Sequence, residues 1–390
     1  MGDGPNNDPV RVLAYADSRL FSGAEAVHCE LVRGLKASAA IELRCAAPLS
    51  NRTLAERLRE IAGEDPIDVP SQRPSAAAFD LYSPRRRAAV DRALSGVDFD
   101  VLLVNLPSAE YGATPLAAHS LHAKSIGVLH VPGSPRSLGF RLGGARERLA
   151  KHALRRLDAV CVLTESAADD FRALWNGNGS TVGLVRLPKP TLERVDRVAA
   201  RAELGLPDGT VVGIAGRVSF KQKGQDTFVA AAELLLAERP ELRFAVAGDG
   251  RDLDRLRHLI QERDLSAGFH LLGRVDPIER FLSAVDAIAI PSTFEGLPLI
   301  ALEALTLGVP GVAISVDGLR DVWPVAWQVE HGDPSALARG LARVLDAPPE
   351  ERAAAIEEGR RLMDANTSDD PARALEAQIL ELAGRGKTAA

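Results

Sequence analysis

Short apolar runs alternate with stretches of helical periodicity along almost the whole chain. Residues 10–15, 41–46, 67–69, 101–104, 125–129, 159–163 and 182–185 read as strands, and 211–215, 242–247, 269–272, 287–290 and 312–314 repeat the pattern. The unbroken Val and Leu content of 101–104 marks a strand covered on both faces. Helical spacing falls between these runs, at 51–62, 84–94, from 165 or 166, up to 204, and after Thr293. Strand and helix in turn predict an α/β fold of doubly wound parallel sheets. Leu187-Pro188-Lys189-Pro190 interrupts the alternation near the middle and reads as a stiff linker, a place for two domains to hinge over a substrate. The end of the chain is helical, at 334–345, 349–363 and 371–382. The domains read as a loose tail 1–9, a first domain 10–187, a second 188–365, and a C-terminal segment 366–390.

Four stretches carry candidate chemistry. The first is Phe294-Glu295-Gly296-Leu297-Pro298-Leu299-Ile300-Ala301-Leu302-Glu303-Ala304, directly after a strand. Pro298 suits a first helical turn, and Gly308 and Pro310 end the helix near Leu307. Glu295 and Glu303 bracket the helix start, roughly 12 Å apart along a helix. The free N–H groups between them form an anion site. Two surface glutamates on a helix would give the same pattern.

The second is Gly216-Arg217-Val218-Ser219-Phe220-Lys221-Gln222-Lys223-Gly224, a loop after a strand that can aim an Arg fork and a Lys charge at one diphosphate. It lacks the G-K-[ST] of a Walker loop. The third is Phe21-Ser22-Gly23-Ala24-Glu25, where Ser22 and Glu25 have capping-box spacing and Gly23 lets a ligand approach the backbone. The fourth is His130-Val131-Pro132-Gly133 at a strand's carboxyl end, where ligands of such sheets bind.

Composition narrows the class. The 390 residues suit two or three domains, and 46% hydrophobic with 26% charged residues describes a packed protein. A net charge of -6 removes a global nucleic-acid footprint. Cys29, Cys45 and Cys161 are widely spaced in apolar segments and read as reduced core residues of a cytoplasmic protein. No apolar run reaches the ~18 residues of a membrane span, and residues 1–9 lack the apolar core of a secretory signal. Residues 134–156 are rich in Arg and Lys, and Arg85-Arg86-Arg87 adds a second cluster. Such runs are usually solvated helix faces, and the alternative is contact with an anionic membrane or a phosphorylated acceptor.

The E-G-L-P-L-x-x-x-E-A stretch resembles the E-x7-E motif of the retaining glycosyltransferases of family 4, which have the GT-B fold. Further resemblances follow in the family's order at Ser22–Glu25, His130–Gly133, Arg217–Gly224, Ala247–Gly250 and Leu272–Val275. The resemblance implies two Rossmann-like domains facing across a cleft, with the last helix crossing back to the first domain. It implies a hexosyltransferase-type enzyme that moves a sugar from a nucleotide diphosphate sugar to an acceptor hydroxyl with retention, needing no metal and no other cofactor. Glu295, His130, Arg217 and Lys223 take catalytic roles in this reading. Gly23, Arg217, Lys223, Arg274, Val275, Gly296, Leu297, Leu299 and Glu303 bind the donor, with Glu303 on the ribose. Lys223 is the assigned lysine because K-G-x-D runs through Asp226, and Lys221 is the alternative. The chain departs from the family pattern at Ser22, at one extra residue before the lysine, and at Asp317 and Asp321, where Gly and Glu are usual. The acceptor, a small molecule, a glycan or a lipid, leaves no readable code. A GT-B hydrolase or epimerase, or a non-catalytic sugar-nucleotide binder, are the other readings.

Overall fold

The computed structural model describes residues 8–72, 80–117, 123–175, 180–330 and 332–385. The expected tail 1–9 therefore lies mostly outside the described residues. The chain divides into two compact units, residues 1–188 with 368–390, and residues 189–367.

The first unit is built on a seven-stranded sheet: β1 Val10–Tyr15, β2 Ile41–Ala47, β3 Ile67–Asp68, β4 Val101–Ser108, β5 Lys124–Val131, β6 Ala159–Val162 and β7 Thr181–Leu184. Their order is β3-β2-β1-β4-β5-β6-β7, with every named pair parallel. The order reverses between β1 and β4, which is the switch point where such sheets bind ligands. Val101 to Leu106 are all buried, as the unbroken apolar run requires. β4 and β5 are longer than their apolar runs because they continue to pair as far as Ser108 with Val131. His130 is thus the next-to-last residue of β5, not a loop residue beyond it.

The final helix, Pro371–Leu382, belongs to this unit and packs on the helix Gly23–Lys36. A Cβ on Gly34 would lie 2.4 Å from that of Ala372, so the two helices cross where one has no side chain. Ser38 Oγ donates to Glu376 Oε1 at 2.5 Å beside the crossing.

Two members of the basic clusters point inward. Arg146 is buried against the carboxylate of Glu110, and Arg86 donates to Asp17 at 3.0 Å and to the carbonyls of Pro70 and Ser71. A guanidinium has five donors in a fixed fork and can satisfy several buried oxygens at once. These residues leave the solvated face that their runs suggest, while Arg136, Arg141 and Arg148 stay exposed. Cys29, Cys45 and Cys161 are buried free thiols.

The second unit holds a six-stranded sheet: β8 Val211–Ala215, β9 Arg243–Ala247, β10 Phe269–Gly273, β11 Ala287–Ile290, β12 Gly311–Ile314 and β13 Gln328–Val329. The order is β10-β9-β8-β11-β12-β13, all parallel, with its switch point between β8 and β11. The two candidate stretches of this half, 216–224 and 294–304, come after those two strands and so flank the switch point. Among the described residues no helix is long and apolar enough to cross a membrane.

Candidate functional site

In the second unit the loops after β8 and β11 are locked together before any side chain meets. Gly224 has φ 65, and a Cβ there would lie 2.1 Å from the Pro291 carbonyl oxygen. Only glycine takes both the left-handed backbone and the contact without strain. Thr293 N–H donates to the Gln222 carbonyl at 2.8 Å beside it. Residues Phe220–Lys223 form one short helical turn, where the sequence reads as loop. That turn directs Lys223 back across the switch point, and its Nζ donates to Glu295 Oε1 at 2.5 Å. Both side chains are largely covered, at 19% and 6% exposed. Of the two lysines considered, Lys223 is the one that meets Glu295.

The helix after β11 runs Leu299–Leu307, with Pro298 at its N-cap and Gly308 closing it in the left-handed conformation. Residues 295–298 are a turn, so the helical rise applies to only the second half of the Glu295–Glu303 spacing. Among the described residues, the N–H groups of Gly296, Leu297 and Leu299 have no protein acceptor. Such groups at a helix N-terminus form a positive site for anions. Glu303 sits one turn into the helix, half-buried. Burial, with the Glu279 carboxylate adding to it, pushes its carboxyl up to about 7.

Arg217 is exposed at the mouth of the loop, and its guanidinium donates to Gln222 Oε1 at 2.7 Å. Gln225 holds the backbone beneath it. Its Nε2 donates to the Arg217 carbonyl at 3.1 Å and its Oε1 accepts from Ser219 N–H at 3.1 Å. Nothing in the sequence singled out Gln225. The Gly248-Asp249-Gly250 turn has a packing role. A Cβ on Gly248 would meet the Gly216 carbonyl at 1.9 Å, and one on Gly250 the Val218 carbonyl at 2.3 Å. Arg274 is exposed, with a long contact of 3.4 Å to Asp276, and Val275 is half-buried beside it. Neither makes a described contact with the Lys223–Glu295 pair.

Asp317 is a residue that the sequence reading left without a role. Its carboxylate accepts from the Glu295 N–H at 2.6 Å. One residue on, Gly318 N–H donates to the Gly296 carbonyl at 3.1 Å. The turn after β12 thereby braces the turn after β11.

In the first unit, Gly23 opens the helix Gly23–Lys36 with no heavy atom within 4 Å of a would-be Cβ. Glu25 accepts from both the N–H and the hydroxyl of Ser22, at 2.8 and 2.6 Å. That carboxylate is committed to the cap. His130 is buried, and its Nε2 lies 2.8 Å from Asn105 Oδ1. With a carbonyl oxygen as partner, Nε2 carries the proton and Nδ1 the lone pair. Burial, with the neighbouring His28 adding to it, lowers the His130 ring to about 3. The imidazole is neutral at physiological pH. Gly23 and His130 lie in this unit, and Glu295, Lys223, Arg217, Arg274, Val275, Gly296, Leu297, Leu299 and Glu303 in the other.

Comparison with known proteins gives this geometry a context. Residues 196–362 match the family model described as glycosyl transferases group 1, and residues 21–182 match glycosyltransferase family 4. A 2-deoxystreptamine N-acetyl-D-glucosaminyltransferase of Streptomyces fradiae is 37% identical over 52% of this chain and 50% of its own length. A GDP-mannose-dependent monoacylated phosphatidylinositol monomannoside mannosyltransferase of Corynebacterium glutamicum is 29% identical over 73% of this chain and 74% of its own. The chain thus spans about half the length of the first relative and about three quarters of the second. Anabaena HepE, solved with UDP and glucose, superposes with a TM-score of 0.75 over 95% of this chain and 99% of its own, at 18% identity. Sucrose-phosphate synthase of Thermosynechococcus elongatus gives 0.71 over 96% and 98%, at 19% identity. At those identities the likeness is one of fold, the two-sheet α/β architecture of GT-B enzymes. One family model covers most of each sheet-bearing half, and together they take in most of the chain: the chain belongs to glycosyltransferase family 4.

Proposed function

We propose that the protein transfers a sugar from a nucleotide diphosphate sugar to an acceptor hydroxyl, with retention at the anomeric carbon. The observation that carries this reading is the Lys223–Glu295 pair beside the unpartnered N–H groups of Gly296, Leu297 and Leu299. One short element then offers a cation and amides to phosphate, and carboxylates to hydroxyls.

Cleavage of the anomeric bond puts negative charge on the leaving diphosphate. Lys223, Arg217 and the three amides would take up that charge, and preorganised donors of this kind are usually the largest catalytic contribution. The chain's own cations and amides would serve in place of a divalent metal. Glu295 would hold donor-sugar hydroxyls and Glu303 the ribose hydroxyls, with Arg274 and Val275 near the base. Gly23 and His130 would line the sugar and acceptor side. His130, neutral and with its Nε2–H directed to Asn105, would act as a hydrogen-bonding group, not as a cation or a proton donor.

Glu295 is already paired with Lys223, and Glu303 lies eight residues on. Double displacement in a glycosidase uses two carboxylates ~5 Å apart flanking one bond. The two glutamates are assigned instead to the two ends of the donor. A same-face substitution, with the leaving phosphate accepting the acceptor's proton, fits that assignment. The acceptor is a hydroxyl compound, as the aminocyclitol and lipid-linked acceptors named for the relatives illustrate. Cytoplasmic residence is part of this reading and is supported by the three buried free thiols. Exposed members of the basic runs, Arg136, Arg141, Arg148 and Arg155 among them, are candidates for contact with an anionic surface.

The test is proton NMR of the product made from an α-linked donor of gluco or galacto configuration, in which the H1–H2 coupling separates the anomers. A small anomeric coupling, marking an α-linked product, supports retention. A large one means inversion and overturns this mechanism.

A further inference from the structure

Asp317 adopts φ 38, the left-handed region where glycine is the low-cost residue. A side chain persists in such a conformation when its surroundings over-determine it, and these positions concentrate at functional sites. The surroundings here are specific. The carboxylate accepts from the Glu295 N–H at 2.6 Å, and Glu295 in turn meets Lys223 at 2.5 Å. Gly318 cannot move away, because its N–H is bonded to the Gly296 carbonyl and a Cβ would lie 2.2 Å from that oxygen. Arg320 and Asp321 follow on the short helix Leu319–Val322, with Arg320 Nε 3.4 Å from the Asp317 main-chain oxygen.

The Glu295 amide stands at the start of a turn whose next free N–H groups are those of Gly296, Leu297 and Leu299. A ligand anion could have used that first amide, but the chain's own carboxylate occupies it. A ligand carboxylate brought to the same place would meet the Asp317 carboxylate beside the Lys223-paired Glu295, and the like charge of Asp317 disfavours binding. A neutral hydroxyl brings no such charge and can donate to a carboxylate.

We propose that Asp317 is a positioning residue for Glu295 and also makes the donor site select a neutral sugar over one bearing a carboxylate. The selectivity rests on the glycosyl-transfer reading above; the positioning does not.

Two variants separate the effects. Asp317→Asn keeps a carbonyl acceptor and tolerates the left-handed backbone, while Asp317→Gly keeps the backbone and loses the acceptor. Amide hydrogen exchange at Glu295 in the ligand-free protein reads positioning. Protection in the wild type and Asp317→Asn, with at least tenfold faster exchange in Asp317→Gly, supports it. Equal exchange in all three overturns it. Titration with UDP-glucose and UDP-glucuronate, which differ only in a carboxylate, reads selectivity. Wild-type preference for UDP-glucose that narrows at least tenfold in both variants supports the proposal, and an unchanged ratio overturns it. If neither donor binds the wild type, the selectivity falls, the exchange result still decides the positioning, and the donor reading is decided separately by the GDP-, ADP- and dTDP-sugars.

Discussion

Lys223 and Glu295 are 72 residues apart in sequence, and their side chains meet at 2.5 Å at the switch point of the second sheet. The contact joins the Gly216–Gly224 loop to the Glu295–Glu303 stretch, the two segments with the most specific chemistry in the sequence. Breaking a covered pair by removing one partner leaves an uncompensated charge, which typically costs 3–5 kcal/mol. Lys223→Met should lower stability by about 3 kcal/mol on that basis. Adding Glu295→Gln to it should recover part of the loss, which chemical denaturation of both variants would reveal. Nucleotide release from a donor should stay abolished in both.

Glu303 makes stability and donor binding respond to pH in opposite senses. Its carboxyl is raised from 4.5 to about 7 in the folded protein, so the folded state holds the proton more tightly than the unfolded chain. This group's contribution is therefore fully present below about pH 4.5 and is lost as pH rises through about 7. Glu303→Gln should gain about 3 kcal/mol over the wild type at pH 8.5 and only about 1 kcal/mol at pH 5. Thermal melts across that range check the sign. A carboxylate that accepts ribose hydroxyls must be ionised, so donor affinity should tighten as pH rises through 7. The affinity of Glu303→Gln should be weak and flat with pH.

Two glycines separate ligand approach from packing. Gly23 has open space around it, so Gly23→Ala should leave the melting temperature within a degree or so while raising a substrate KM. Gly318 has none, because a Cβ meets the Gly296 carbonyl at 2.2 Å. Gly318→Ala should destabilise by about 1–3 kcal/mol, the usual cost of overpacking, and impair activity with it. Melting curves and steady-state kinetics on the same samples distinguish the two outcomes.

His130 should contribute no ionisation to the pH–rate profile between pH 5 and 9, since its ring titrates at about 3. Asn105→Asp would place a carboxylate at Nε2 and raise that value, so a new limb should appear near neutral pH. A histidine limb in the wild-type profile that vanishes in His130→Gln would contradict the assignment.

Much of the fold was legible because buried parallel strands are written as unbroken apolar runs, as at Val101–Val104 and Ala287–Ile290. Strand ends were less so. Whether β5 stops before His130 depends on pairing with Ser108 in β4, which no local pattern records. In the candidate site, Glu295, Glu303 and Lys223 stood out by motif. Asp317 and Gln225 did not, since each acts by bonding backbone that only the folded chain brings near. The same holds for Arg146, whose buried partner Glu110 lies 36 residues away from a run that looks solvated. Gly248 and Gly250 are constrained by the carbonyls of a neighbouring loop, which their own stretch of sequence does not record.

The central claim is that the second unit binds a nucleotide diphosphate sugar through Glu295, Lys223 and Glu303. A thermal-shift and hydrolysis panel of UDP-, GDP-, ADP- and dTDP-sugars, run on the wild type and Glu303→Ala, tests it most directly. The account predicts that one nucleotide series stabilises the wild type and not the variant, with slow release of that nucleotide in the absence of acceptor. No stabilisation of the wild type by any of the four series would contradict it.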